Sequence, residues 1–262
     1  MKKTLIALTL AAIGMPVLAQ QKAPEPDISI TGNVGIFSDY RFRGISQSDR
    51  SAAIQGGFDL THKNGLYIGT WASSVSEFAN PSNTNGSKPG GGSEVDIYGG
   101  YRASVGPLGI DIGALMYIYP GNNNKENTVN NSLKSADTTE LYLGFSYGPV
   151  SYKYSHMTSA QWFTYPAASG SQYHDITVTL PVSDKVTFVA HYGMTKVKGG
   201  GNLKDFTDYK VGVAYDIGDG FILGLDYIGT GNLTSAEKTD YFTGGDKLLS
   251  TSTGVVYLKK NF

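Results

Sequence analysis

The sequence predicts an all-β fold: a transmembrane antiparallel up-and-down β-barrel, most simply of twelve strands. Three observations carry this. Segments of about ten residues alternate apolar with polar side chains. The links between them alternate short with long. An export signal precedes them. In residues 28–43, Ile28, Ile30, Val34, Ile36, Tyr40 and Phe42 hold even positions, while Ser29, Thr31, Asn33, Asp39, Arg41 and Arg43 hold odd ones. One face is apolar and the other charged. Lipid tolerates no unpaired strand edge, so a pattern repeated to the last residue calls for closure.

Residues 1–19 read as a signal peptide: Lys2 and Lys3, a short run from Leu5 to Leu18 broken by Gly14 and Pro16, and Val17-Leu18-Ala19 before Gln20. Residues 20–27 hold two prolines and form a short periplasmic lead-in, so the barrel occupies 28–262. Removing Lys2 and Lys3 leaves 19 basic against 22 acidic side chains, which is no nucleic-acid profile. Cysteine is absent, so neither a disulfide nor a lipid-bearing cysteine exists. No apolar run reaches the length of a membrane-spanning helix. The 34 glycines and 18 tyrosines suit tight turns and aromatic belts at the lipid–water interfaces.

The strands follow in order. Strand one is 28–43. Strand two, 52–62, sets Ile54, Phe58 and Leu60 against Gln55, Asp59 and Thr61, and Asn64-Gly65 closes a hairpin. In strand three, 66–77, Tyr67, Trp71 and Val75 compete with Leu66, Ile68 and Ala72 for the lipid face. Strand four, 94–105, puts Glu94, Asp96, Tyr98 and Arg102 inward. Strands five to eleven are 109–119, 138–147, 150–158, 172–182, 186–196, 207–217 and 221–229, and strand twelve is 248–262. Ten or fourteen strands fit the same pattern if boundaries move. Short links follow the even strands and long ones the odd strands. Outer-membrane barrels have short periplasmic turns and long external loops, so both termini are expected in the periplasm of a Gram-negative cell. Phe262, at matching parity with Leu258, Val256 and Gly254, reads as the signal for the barrel assembly machinery.

Asp39-Tyr40-Arg41-Phe42-Arg43-Gly44-Ile45-Ser46-Gln47 resembles the opening of the proteobacterial TorF-type porin family. The resemblance continues through Ile54–Gly57, Gly65–Ser73, Glu94–Tyr101, Tyr117–Gly121 and Glu140–Gly144. It implies an outer-membrane barrel of porin function with no assigned solute. The insert from Pro81 to Gly92 and the Asn-rich stretch 121–131 depart from it.

A pore is the functional reading. Twelve strands about 4.8 Å apart, tilted about 40–45°, give a backbone cylinder about 25 Å across. Side chains reduce that to about 10–12 Å, which suits a narrow channel for small hydrophilic solutes. The expected pore-lining residues are Asp39, Arg41, Arg43, Glu94, Asp96, Glu140, Asp175, Lys210 and Asp226 toward the outer mouth, and Arg102 and Lys153 below, with Asp59, Asp111 and Asp216. The upper set has six acids and three bases, which predicts a weak cation preference. Arg41 and Arg43 are expected either to face Glu94 and Asp96 across the lumen or to neutralise them and Asp39. Two readings compete. An adhesin or structural barrel is favoured by Trp162, Phe163 and Tyr165, which read as an exposed aromatic cluster. A hydrolase needs a nucleophile, a base and an orienter. His62 falls in a turn, His156 and His174 have lipid parity, and Gly-x-Ser-x-Gly is absent. The four scattered histidines have no metal-ligand spacing, so no metal, cofactor or catalytic residue is assigned. Apolar faces on all strands predict a monomer in contact with lipid alone.

Overall fold

The computed structural model describes residues 26–76, 92–120, 136–160, 162–163, 168–199, 204–234, 243–244 and 247–262. The leader 1–19, most of the lead-in, the insert 81–91, the Asn-rich stretch 121–131 and Tyr165 lie outside the described residues. Among them, twelve strands form one closed antiparallel barrel. They are β1 (Ile28–Phe37), β2 (Ala53–His62), β3 (Leu66–Ser74), β4 (Ser93–Val105), β5 (Leu108–Ile118) and β6 (Thr138–Tyr147), followed by β7 (Val150–Met157), β8 (Gln172–Pro181), β9 (Val186–Lys196), β10 (Phe206–Gly218), β11 (Phe221–Gly231) and β12 (Thr253–Asn261).

Each strand pairs with its sequence neighbours, and β1 closes the ring on β12 from Asn33↔Asn261 to Phe37↔Tyr257. The Phe262 N–H extends this seam, donating to the Gly32 carbonyl at 2.8 Å. Short turns end in left-handed residues that glycine takes without strain, among them Gly65 (φ 100°) and Gly218 (φ 110°).

The alternation separates two chemistries. Ile36, Ile54, Phe58, Ile68, Ile112, Leu141, Val211, Val213, Leu225, Val256 and Leu258 are exposed on the outer wall. In β3, Leu66 and Ile68 point out, while Tyr67 and Ser73 are buried inside, which resolves the competing register. Lys260 on the outer face donates to the Asp219 carbonyl and lies 4.5 Å from the centroid of Phe221, the behaviour of an interfacial lysine.

The high glycine and tyrosine content has a specific use. Gly69 pairs directly with Tyr98, Gly113 with Tyr142, Gly224 with Tyr257 and Gly229 with Tyr209. In each pair the phenol ring lies over the glycine, where an added methyl would collide with it. Glycine removes the side chain that would hold the ring off the sheet, so the ring covers the exposed backbone instead.

Two boundaries differ from expectation. Strand one was expected to reach residue 43, but β1 ends at Phe37. Strand twelve was expected from 248, but β12 begins at Thr253. At both places the chain turns into the lumen.

Candidate functional site

After Phe37 the chain folds into the barrel instead of continuing up the wall. Arg41 pairs with Ser46 and Phe42 with Ile45 in a two-rung hairpin. Its turn residues, Arg43 (φ 48°) and Gly44 (φ 81°), are both left-handed, as a two-residue turn of this kind requires. Gly44 is also needed for room: a Cβ there would come within 2.8 Å of Asp208 Cβ, the Gly229 carbonyl and Thr230 Cγ2.

Segment 38–50 thereby spans the lumen. Tyr40 packs on Trp71 of β3 and donates to Glu94 of β4 at 2.7 Å. Phe42 packs on Tyr117 of β5, and Arg43 reaches Glu140 of β6 and Tyr173 of β8. Gly44 abuts β10 and β11. Seven of the twelve strands are touched. Tyr40 and Phe42, expected on the lipid face, are therefore interior residues. The even–odd rhythm runs on past Phe37 by coincidence, after the chain has left the wall.

The segment is tied down by Arg41. Its Nε contacts Asp39 Oδ2 at 2.6 Å, and its Nη1 donates to the carbonyls of Gly44, Leu249 and Thr251 at 3.1, 2.8 and 2.9 Å. Asp39 also accepts from the Ser46 and Ser48 hydroxyls. Burial, with Glu94 next to it, pushes the Tyr40 phenol well above its usual pKa and keeps it a donor. Arg43 places Nη2 at 2.7 and 2.9 Å from the two Glu140 oxygens, with its guanidinium 4.1 Å over Tyr173 and 4.8 Å over Phe42.

Of the expected partners Arg41 takes Asp39, whereas Arg43 takes Glu140 in place of Glu94 or Asp96. Glu94 accepts from Tyr40 and, at 2.6 Å, from Tyr119. Asp96 is buried on the same face, and its Oδ1 has no hydrogen-bond partner among the described residues. On the far wall Asp175 accepts from Thr177, and Lys210 lies 3.9 Å from Asp226.

Below the segment, Tyr98 donates to Asp59 at 2.8 Å and Tyr67 to Asp111 at 2.6 Å. Arg102 pairs with Asp111 at 3.1 Å while its guanidinium lies 3.8 Å over Tyr67. Lys153 lies 5.5 Å from the centroid of Tyr142. Asp216 caps a turn through the Gly218 N–H.

A second group of buried side chains escaped the sequence reading. Trp162 is 3% exposed and packs with Ile45, Met157, Phe206 and Leu249, while Phe163 packs on Phe42 and Tyr117. The expected exposed aromatic cluster is thus an interior one for these two residues. Their position in a long polar link hid this. His191 was also passed over. Its Nδ1 lies 3.3 Å from Asp175 and 3.2 Å from Thr177, and its Nε2 2.8 Å from Asp208. Odd parity beside inward Asp175 was the available signal. Both ring nitrogens are engaged, so the ring is held as a strut and offers no free lone pair to a nucleophile. His156 and His174 sit on the outer side of β7 and β8 with Tyr154 and Tyr152 as partners. Among the described residues, no group of three or more His, Asp or Glu could hold a metal.

The NanC porin superposes at a TM-score of 0.51 with 9% identity, over 89% of this chain and 99% of that one. The KdgM porin, in complex with disordered oligogalacturonate, superposes at 0.50 with 8% identity, over 89% and 98%. An outer membrane channel from Pseudomonas putida F1 superposes at 0.46 with 12% identity, over 94% and 100%. At these identities the likeness is one of fold. No curated protein matches the sequence. Residues 21–262 match the family described as bacterial protein of unknown function (Gcw_chp), and the chain belongs to that family.

Proposed function

We propose that the protein is an outer-membrane porin, a narrow channel for passive diffusion of small hydrophilic solutes with a weak cation preference. The observation that carries this is segment 38–50: a charged strap crossing a closed barrel whose outer wall is apolar. An apolar outside suits lipid, and a charged inside suits water. A narrow, low-dielectric lumen screens its charges incompletely, so an acidic excess favours cations. In this reading Asp39, Arg41, Arg43, Glu94, Asp96, Glu140, Asp175, Lys210 and Asp226 line the constricted half, and Arg102 and Lys153 the other. Both termini face the periplasm, and the barrel is a monomer surrounded by lipid. Two solved barrels of similar fold, NanC and KdgM, are porins, and the TorF-type resemblance points the same way.

Planar-bilayer recording tests the proposal. The purified barrel should give discrete conductance and a reversal potential on the cation side in a salt gradient. Glu94→Gln with Asp96→Asn should move that potential toward the anion side. A wild-type potential on the anion side, or no movement in the double variant, removes these residues from the constriction. The buried strap also favours a second reading, a sealed structural or adhesive barrel. Silence from a folded barrel would select it. Cysteine at Gly170 should label from outside intact cells while cysteines at Asn64 and Asp219 stay unlabelled; the reverse overturns the orientation.

A further inference from the structure

The constricted half holds more carboxylate than cation. Among the described residues, Asp39 pairs with Arg41, Glu140 with Arg43, Asp175 and Asp208 share His191, and Asp226 faces Lys210. Glu94 and Asp96 have no cationic partner among the described residues. Glu94 is satisfied by two phenols. Asp96 is 8% exposed, with Oδ1 sealed from solvent and without a donor. A buried carboxylate oxygen left unpaired is costly, and either protonation or a bound donor of positive charge relieves it.

The surrounding chemistry specifies the donor. Arg43 shows what this ring of side chains holds: a guanidinium between two aromatic faces, hydrogen-bonded to a carboxylate. Aromatic faces attract cations through the ring quadrupole, and a carboxylate adds charge-assisted hydrogen bonds. The same elements recur next to Asp96. Its cross-strand partners are Tyr117 and Trp71, and Tyr40 lies 5.3 Å from Trp71, centroid to centroid. On this side no side chain among the described residues supplies the cation.

We propose that the constriction is a recognition site for organic cations bearing a guanidinium or primary ammonium group, bound at Asp96 and Glu94, next to the Arg43–Glu140 pair. This deepens the porin reading and rests on it, because solute reaches the site through the lumen. The cation supplies the donor that Asp96 lacks. A second cation beside the Arg43–Glu140 pair is repelled by the Arg43 charge, so removing that charge favours binding.

The test uses L-arginine and citrulline, which share length and shape but differ by the guanidinium charge. Calorimetry on the detergent-folded barrel reads binding, and planar-bilayer current reads block. Arginine should bind and interrupt the current, and citrulline should do neither. Asp96→Asn, close to isosteric, should weaken arginine binding about tenfold or more, and Glu94→Gln should weaken it too. Arg43→Gln should strengthen it. Heat-modifiable mobility confirms that each variant is folded. Equal binding of both solutes, no binding of either, or unchanged arginine affinity in both carboxylate variants would overturn the site. A conducting barrel indifferent to arginine sinks the site alone. A silent barrel that still binds arginine over citrulline sinks the channel reading and keeps the site.

Discussion

Arg41→Ala asks whether segment 38–50 sets the conductance independently of the wall that encloses it. Arg41 makes one ion pair and three carbonyl contacts, all in the segment or in the link before β12. Removing one partner of a buried ion pair costs about 3–5 kcal/mol. Asp39 keeps its Ser46 and Ser48 donors, which places this case at the lower end. A loss of about 3 kcal/mol shifts the equilibrium between docked and released strap by about two decades. None of the ladder bonds that close the barrel involves Arg41, so the loss falls on the strap. Single-channel conductance should therefore rise clearly, or appear if the parent is silent, while the urea midpoint of barrel unfolding stays near the parental value. Parental conductance from a folded Arg41→Ala barrel would refute the reasoning. So would a loss of barrel stability as large as the local one, since wall and strap would then be a single cooperative unit.

Val213 is exposed on the outer wall, and Val213→Arg should destabilise the lipid-embedded barrel by about 2–4 kcal/mol in a refolding titration. Thr187→Arg on the inner face should cost much less; equal costs would mean the two faces have been confused. Deleting Phe262 removes the donor to Gly32 at the seam and the residue expected to be read by the assembly machinery. Outer-membrane levels should fall, with aggregate left in the periplasm. Normal amounts of heat-modifiable barrel would show that neither role matters.

The wall was legible because it obeys one simple rule. A residue on a strand shows lipid or lumen according to parity, and Ile54, Leu141 and Val211 follow it without regard to what faces them. The lumen obeys no such rule. Tyr40 and Phe42 kept the rhythm of β1 after the chain had turned away at Phe37, and the turn that marks the hairpin came only beyond them, in two left-handed residues, Arg43 and Gly44. An Arg-Gly turn is less conspicuous than Asn-Gly. Trp162 and Phe163 sit among polar link residues, and what buries them comes from Ile45, Phe42 and Phe206, far away in sequence. Parity placed Glu94, Asp96 and Glu140 on the inner face. It carried no information on partners, which depend on where a link of the chain comes to rest. Hence Arg43 was matched with the wrong carboxylates.

The strap joins two adjacent strands and leaves the hydrogen-bonded ring intact, so under the proposed porin function the container is separate from the filter. The container answers to the bilayer, which enforces one apolar rhythm on every strand. The filter is a single short peptide held by a few side chains. It can lengthen, shorten or change sign without altering the number of staves. Diversification of what passes through such a vessel then needs only the rewriting of one connection, and a chain that shares the cylinder with NanC and KdgM at about one identical residue in ten can have a different sieve inside the same cask.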